Sequence, residues 1–443
     1  MKPDTTTIHD LNIFGRGEEG SFFAQLDLTS TKNGSLHFEF LLRHPYSNLQ
    51  SILETQQAIQ RLSQVKDNWP SLISNGTIKV IESFYESSFQ SISYSSSSLQ
   101  ILFYRILQPG DYSLLKYSVE HAFDFIKGMR MLIDLLQEDS NPENLKKILE
   151  EAQQLMNRNE FSMIRNHTKI DDIAVADQMK LGSYFRYQYK HQMNRLLEIH
   201  AKLDAWLGMA LATERFGLTF PEFTEDSGPE LEIKGLYHLL LSDPVPYDVT
   251  LDANHNFLFL TGANMAGKST FIKSVGTAVY LAHCGLGVPA SSMKLCLFEG
   301  IISNINIMDN LTKGESYFFN EVQRIKATLQ KISNGQRCLV LIDELFKGTN
   351  IEDAMKCSGA VIDGLVKIPQ SVFILSTHLY EISETLTIHS NIRFKFFETR
   401  MINGEFSFSY RLQDGVCRDR LGYLILKKEG VVDMLDQLKQ ELP

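Results

Sequence analysis

Two hydrophobic rhythms divide this chain. Between about residues 45 and 215 the apolar positions recur every three or four residues. In NLQSILETQQAIQRLSQV they fall at Leu49, Ile52, Leu53, Ala58, Ile59 and Leu62, and in NRLLEIHAKLDAWLGMALATERF at Leu196, Ile199, Leu203, Trp206, Leu207 and Ala210. That spacing lines one face of a helix, so the region predicts helices whose apolar stripe, Trp206 included, is core. A polar turn, PEFTEDSGPE (221–230), ends this rhythm. Beyond it come short unbroken apolar runs: Phe257-Leu258-Phe259-Leu260, Leu339-Val340-Leu341-Ile342 and Val372-Phe373-Ile374-Leu375. Runs of this kind predict strands buried on both faces, as in a parallel sheet. The pattern predicts a mostly helical domain over 1–225, followed over 226–443 by an α/β domain with a mostly parallel sheet flanked by helices. SYSSSSLQ (93–100) reads as a serine-rich loop with no assigned role, and no internal repeat is present.

Each apolar run ends in chemistry. The first leads into TGANMAGKST, in which Gly262, Gly267, Lys268 and Ser269 stand at phosphate-loop spacing. Glycines let backbone N–H groups approach an anion, and the start of the helix expected from Phe271 to Ala282 adds positive potential. Gly262, Ala263, Asn264, Met265, Ala266, Gly267, Lys268, Ser269 and Thr270 are therefore the candidate nucleotide-binding residues. Lys268 reaches the β- and γ-phosphates and Ser269 holds Mg²⁺ in this reading. The second run ends in Asp343-Glu344, the expected metal and water-activating edge of a phosphate-loop ATPase. Asp343 binds the metal through water and Glu344 polarises the attacking water. The third ends in Ser376-Thr377-His378, where His378 is a candidate γ-phosphate sensor or a plain loop residue. Ligands in open α/β sheets sit at the carboxyl ends of strands, where these three tips converge. The expected cofactors are ATP and Mg²⁺.

Composition narrows the setting. A length of 443 residues with 43% hydrophobic content supports two or three ordinary cores. No apolar run reaches the ~18 residues of a membrane span, and MKPDTTTIHDLNIFGRGEEG lacks a basic-then-apolar signal pattern. The five cysteines, at 284, 296, 338, 357 and 417, form no C-x-x-C pair. They read against zinc or a disulfide framework and fit a reducing cytoplasm. A net charge of −10 argues against a broad DNA-coating surface, so any DNA contact must come from local basic patches.

These residues resemble the ATPase domain of the DNA mismatch repair MutS family. That family's loop reads TGPNMGGKST against residues 261–270, with Ala266 in place of a glycine. MDNLTKGESYFFNEV is similar to its signature loop, D-x-L-x-x-G-x-S-T-F-x-x-E, through Asp309, Leu311, Gly314, Ser316, Phe318 and Glu321, with Tyr317 replacing the threonine. Asp343-Glu344, Gly348-Thr349 and Ser376-Thr377-His378 also match. Phe346 replaces a glycine and Lys347 an arginine; Gly415 and Gly422 keep a glycine spacing in which Arg420-Leu421 replaces a serine-aromatic pair. The earlier half resembles the family's helical core and lever domain through Thr29, Thr31, Gly34, Leu41, Pro45 and Arg61 and through the Leu203-Asp204 helix. The resemblance implies a homodimer, or dimerisation on ATP, in which Ser316 serves the neighbour's γ-phosphate. It also implies an adenine held between Val245 and Tyr410, although strand alternation with Phe408 explains Tyr410 equally well.

The resemblance implies a DNA partner and no membrane, but not the DNA structure. SYFRYQYKHQMNR (183–195) interleaves Tyr184, Phe185, Arg186, Tyr187, Tyr189, Lys190, His191 and Arg195, and RNHTK adds Arg165 and Lys169. Such residues hold phosphates and stack bases; the same pattern also describes a helix with a wet basic face and a buried aromatic stripe. No mismatch-reading wedge is assignable, so the expected preference is for branched or single-stranded junctions over single mismatches. Three functions remain open: a MutS-like ATPase acting on mismatched, damaged or branched DNA, a nucleotide-binding scaffold acting through protein partners, and an ATPase acting on structured RNA.

Overall fold

The structure is a computed structural model that describes residues 1, 3–15, 20–87, 104–225, 228–305, 317–402, 405–417 and 430–441. It separates into two compact units, one of Met1–Phe22, His44–Leu49 and Phe216–Pro443, the other of Phe23–Arg43 and Gln50–Arg215. The change of rhythm near residue 221 thus falls close to a boundary, at Phe216. Residues 1–22 and 44–49, however, pack with the α/β unit and not with the helices that surround them in sequence.

The helical unit holds the helices Lys32–Arg43, Asn75–Glu86, Pro109–Leu136, Glu143–Met156, Val175–Tyr187 and Lys190–Arg215, with most of Leu49–Val65. Trp206 and the apolar stripe of Lys190–Arg215 are buried. The same helix carries Asp204, also buried, which accepts hydrogen bonds from Ser30 N (3.0 Å) and Oγ (2.6 Å) and from Thr31 N (2.9 Å) and Oγ1 (2.5 Å). Four donors on one carboxylate offset its desolvation and fix the entry to Lys32–Arg43.

The α/β unit contains two sheets among its described residues. β1 (Glu222–Thr224), β5 (Ser292–Cys296), β2 (Leu231–Leu236) and β3 (Tyr247–Leu251) form a small mixed sheet in that order. The larger sheet runs β10-β9-β4-β8-β7-β6, with β4 at Phe257–Thr261, β6 at Gly300–Asn304, β7 at Cys338–Asp343, β8 at Val372–Ser376, β9 at Ile392–Ile402 and β10 at Glu405–Asp414. Its pairs are parallel except β9 with β10. The apolar runs are unbroken because both faces are covered. Phe257, Phe259, Val340, Ile342, Phe373 and Leu375 share a core with the helices Tyr317–Ile332 and Ile351–Leu365. Leu341, on the opposite face, meets Gly276 of the helix Lys268–His283. Register then brings the tips together: Leu260 of β4 pairs with Ser376 of β8, and Ser376 with Asp343 of β7. No described helix is long and apolar enough to cross a membrane, and all five cysteines are free.

Candidate functional site

The loop between β4 and the helix Lys268–His283 turns on two left-handed glycines, Gly262 (φ 144°) and Gly267 (φ 109°). A Cβ on Gly262 would lie 3.3 Å from the Cβ of Phe397, a tight approach that adds to the cost of its positive φ. Met265 also adopts a positive φ of 67° and is 77% exposed. An apolar side chain held out at that tip has no core to join.

Lys268 is 5% exposed, and its ammonium donates to the carbonyls of Gly262 (2.7 Å) and Ala263 (3.0 Å). Burial lowers its pKa, and the nearby Glu344 and Asp343 carboxylates oppose that shift. One residue on, Ser269 Oγ donates to Asp343 Oδ2 at 2.5 Å, while Ser376 Oγ donates to the other carboxylate oxygen. A hydroxyl and a carboxylate at hydrogen-bond distance are hard oxygen donors of the kind Mg²⁺ takes. Among the described residues no three His, Cys, Asp or Glu side chains cluster to hold a metal. This donor pair therefore fits a cation that draws its remaining ligands from phosphate and water, which is how Mg²⁺ is usually bound.

Glu344 follows Asp343 in a left-handed turn (φ 65°). Its Oε2 lies 3.4 Å from Lys347 Nζ and 3.6 Å from His378 Nδ1. Burial pushes the carboxyl up, but the hydrogen bond from His378 and the charges of Lys347, His378 and Lys268 outweigh it and hold the pKa at about 2. His378 is 55% exposed and faces Glu344 from the rim. Glu321, a buried carboxyl outside the first ring of contacts, accepts from the backbone N–H of Lys347 (3.0 Å) and Gly348 (3.2 Å); its pKa is raised by burial against those two bonds.

A cavity of about 620 Å³ opens over this loop. Ala263, Asn264, Met265, Gly267, Lys268, Ser269, Thr270 and Glu344 line it together with Val245 and Tyr410. Its volume lies within the ~300–1,000 Å³ typical of small-ligand sites. Simple alternation does not account for Tyr410: the β9–β10 register shifts between Phe408 and Leu412, and Tyr410 sits at φ 51° inside that irregularity. Bulges of this kind re-aim a side chain. Leu241, Ser242, Asp243 and Tyr247 also line the cavity and were missed. Tyr247 was findable from its inward register in β3, where the burial alternates. Ser316, with Asp309, Leu311 and Gly314, lies outside the described residues, as do Arg420, Leu421 and Gly422.

The basic–aromatic stretch of the helical unit is built differently. Tyr184, Phe185 and Tyr189 pack around Phe161, with ring centroids 5.9, 5.8 and 4.9 Å away. Arg186 donates to the carbonyls of Phe84 and Ser87. Lys190 Nζ stands 5.6 Å over the Tyr85 ring, and Arg195 grips Glu151 at 2.6 and 2.9 Å and Glu198 at 2.7 Å. The buried-stripe alternative describes these residues. Elsewhere in that unit Lys127, Arg130 and Arg165 line a cavity of about 620 Å³ with Ile126, Ile133 and Phe161. Lys127 is tied to the carbonyls of His167 and Thr168, whereas Arg165 has no ion pair among the described residues.

A glycine loop at the carboxyl end of a buried parallel strand, a buried lysine at the helix start, and a serine–aspartate pair reaching the tip of β7 together define the phosphate-loop class of α/β domains. Within that class, the family model described as MutS domain V matches residues 258–440. The chain is 30% identical over 250 residues to the DNA mismatch repair protein MutS of Thermotoga maritima, covering 56% of this chain and 31% of that one. Its counterpart from Thermosipho melanesiensis is 26% identical over 259 residues (58% and 31%), and that of Pseudothermotoga lettingae 28% over 300 (66% and 35%). The chain thus spans about a third of the length of these curated relatives.

Proposed function

We propose that this protein is a MutS-type ATPase that couples binding and hydrolysis of ATP to binding of DNA, with branched or damaged structures as substrates, and that it works as a homodimer or dimerises on ATP. The observation that carries the reading is the single cavity shared by the phosphate loop, Glu344, Val245 and Tyr410. ATP enters with its adenine between Val245 and Tyr410 and its triphosphate along the loop N–H groups. Lys268 then leaves the Gly262 and Ala263 carbonyls for the β- and γ-phosphates. Ser269 and Asp343 would hold Mg²⁺, which would supply charge neutralisation for the triphosphate. Glu344 orients the attacking water. A carboxylate with a pKa of about 2 is a weak base at neutral pH, so positioning outweighs proton removal in its role. His378 faces the same carboxylate and senses the γ-phosphate from the rim. Ser316 acts on the partner's nucleotide.

The DNA part of this reading draws on the names of the relatives and on the cationic cavity at Arg165. The test is an ATPase assay of purified protein with and without duplex, mismatched, junction and single-stranded DNA and structured RNA. About tenfold stimulation by one DNA class supports the proposal. Stimulation by RNA alone moves the substrate to RNA, and tight ATP binding without turnover makes the protein a nucleotide-binding scaffold.

A further inference from the structure

The first residues of the chain are fastened to the α/β unit by more directed polar contacts than covering a surface needs. Asp4 caps the helix Thr5–Asp10 by accepting from Thr7 N at 2.8 Å. The same carboxylate accepts from Arg324 Nη1 (3.1 Å) and Nη2 (3.3 Å) and from Lys331 Nζ (2.9 Å), both on the helix Tyr317–Ile332. Asp10, fully buried, accepts from Ser303 Oγ (2.6 Å) and Ile305 N (3.0 Å), and Thr7 Oγ1 accepts from Ser303 N (3.2 Å). Arg324 also donates to Ser303 O (2.6 Å) and Asn304 Oδ1 (2.6 Å). Backbone donors at the outer edge of β6 are thus paired by side chains from residues 7 and 10, and one guanidinium ties that strand end to the following helix.

That helix reaches the active turn. One turn before Arg324, Glu321 holds the N–H groups of Lys347 and Gly348. At its start Phe318 packs on Phe346, ring centroids 5.6 Å apart. Between them the turn carries two left-handed non-glycine residues, Glu344 (φ 65°) and Phe346 (φ 59°). A left-handed non-glycine residue persists only when its surroundings hold it. Resting on the ATPase reading above, we propose that the amino-terminal segment is a brace: Asp4, through Arg324 and the Tyr317–Ile332 helix, positions the Glu344 turn for catalysis. Asp4 touches no substrate and acts as a positioning residue. The route ends on the turn at 344–348 and not on the glycine loop, so its loss falls on turnover more than on nucleotide binding.

The test uses the full chain with Asp4→Asn. kcat for ATP falls about tenfold, while KM and the Kd of a non-hydrolysable ATP analogue stay within twofold. Asp4→Glu restores most of the rate. Glu321→Gln lowers kcat similarly, and the double variant is no slower than Glu321→Gln alone, because both act along one route. Hydrogen exchange of the Lys347 and Gly348 amides rises about tenfold in Asp4→Asn; this readout needs no turnover. Unchanged exchange and unchanged kcat, with only a lower melting temperature, overturn the brace and leave a surface cover. Wild-type protein that binds the analogue but never hydrolyses ATP overturns the ATPase reading instead, and the exchange result then decides the brace alone.

Discussion

The phosphate-loop cavity and the stretch 183–195 both present polar and aromatic side chains, yet their charges are committed differently. In the stretch, Arg186 and Arg195 are satisfied by carbonyls and carboxylates of their own unit. At the loop, Lys268 rests on two backbone carbonyls, Ser269 on Asp343, and Val245 and Tyr410 line a cavity that their own chain does not fill. A cation paired inside its own fold must break that pairing before it meets a phosphate. Lys268 must likewise leave two carbonyls, but it lines an open cavity, whereas Arg195 is held by two carboxylates. The comparison separates structural from ligand-directed polarity where sequence composition does not.

The strongest test of the loop side is Glu344→Gln. ATP binding stays within about threefold and turnover falls roughly a hundredfold, about what misplacing a reacting group costs; single-turnover hydrolysis measures it, and an unchanged rate removes Glu344 from the mechanism. Lys268→Ala weakens nucleotide binding by about a hundredfold, since a hydrogen bond to a charged group is worth ~1.5–3 kcal/mol. Titration calorimetry with the non-hydrolysable analogue reads this, and tight residual binding sinks the phosphate assignment. Tyr410→Ala costs about tenfold in ATP affinity, with little change for inorganic triphosphate, in line with ~1–3 kcal/mol for base stacking. Equal losses for both ligands break the adenine reading.

The helical side is tested by contrast between two arginines. Arg195→Ala leaves nucleic-acid affinity within twofold and shifts stability by under about 1 kcal/mol, as exposed pairs usually do. Arg165→Ala lowers DNA affinity about threefold and reduces the salt slope by roughly one. Fluorescence anisotropy at several salt concentrations distinguishes them; the reverse order overturns the comparison. The smallest effect is on pH. The Glu344 pKa is depressed from 4.5 to about 2 in the fold, so its ionisation stabilises the protein above 4.5, and that contribution disappears as pH falls through about 2. The melting-temperature difference between wild type and Glu344→Gln therefore moves against the wild type as pH is lowered across that window.

Much of the α/β unit was legible because local rules agree there. Unbroken apolar runs require two covered faces, and glycines at fixed spacing before a helix require a close-approaching anion loop. The interleaved aromatics of 183–195 were ambiguous for a physical reason. Stacking on a base and stacking on Phe161 need the same side chains, and only the fold supplies Phe161. Leu241, Ser242 and Asp243 carry no local pattern of their own, since their place in the cavity comes from what lies across from them.

By itself the sequence determined the strand–loop–helix, the acidic tip at 343–344 and the break in rhythm near 221, all consequences of spacing within a few residues. Only the tertiary structure decided that Tyr410 turns into the cavity with Val245, that Arg186 and Arg195 are already satisfied, and that residues 1–22 belong with the α/β unit. Asp4 is 320 positions from Arg324, and Asp10 is 293 from Ser303. Contacts across such separations leave no periodicity in the chain, because nothing local depends on them until the sheet edge at β6 is formed and its unpaired groups have to be met.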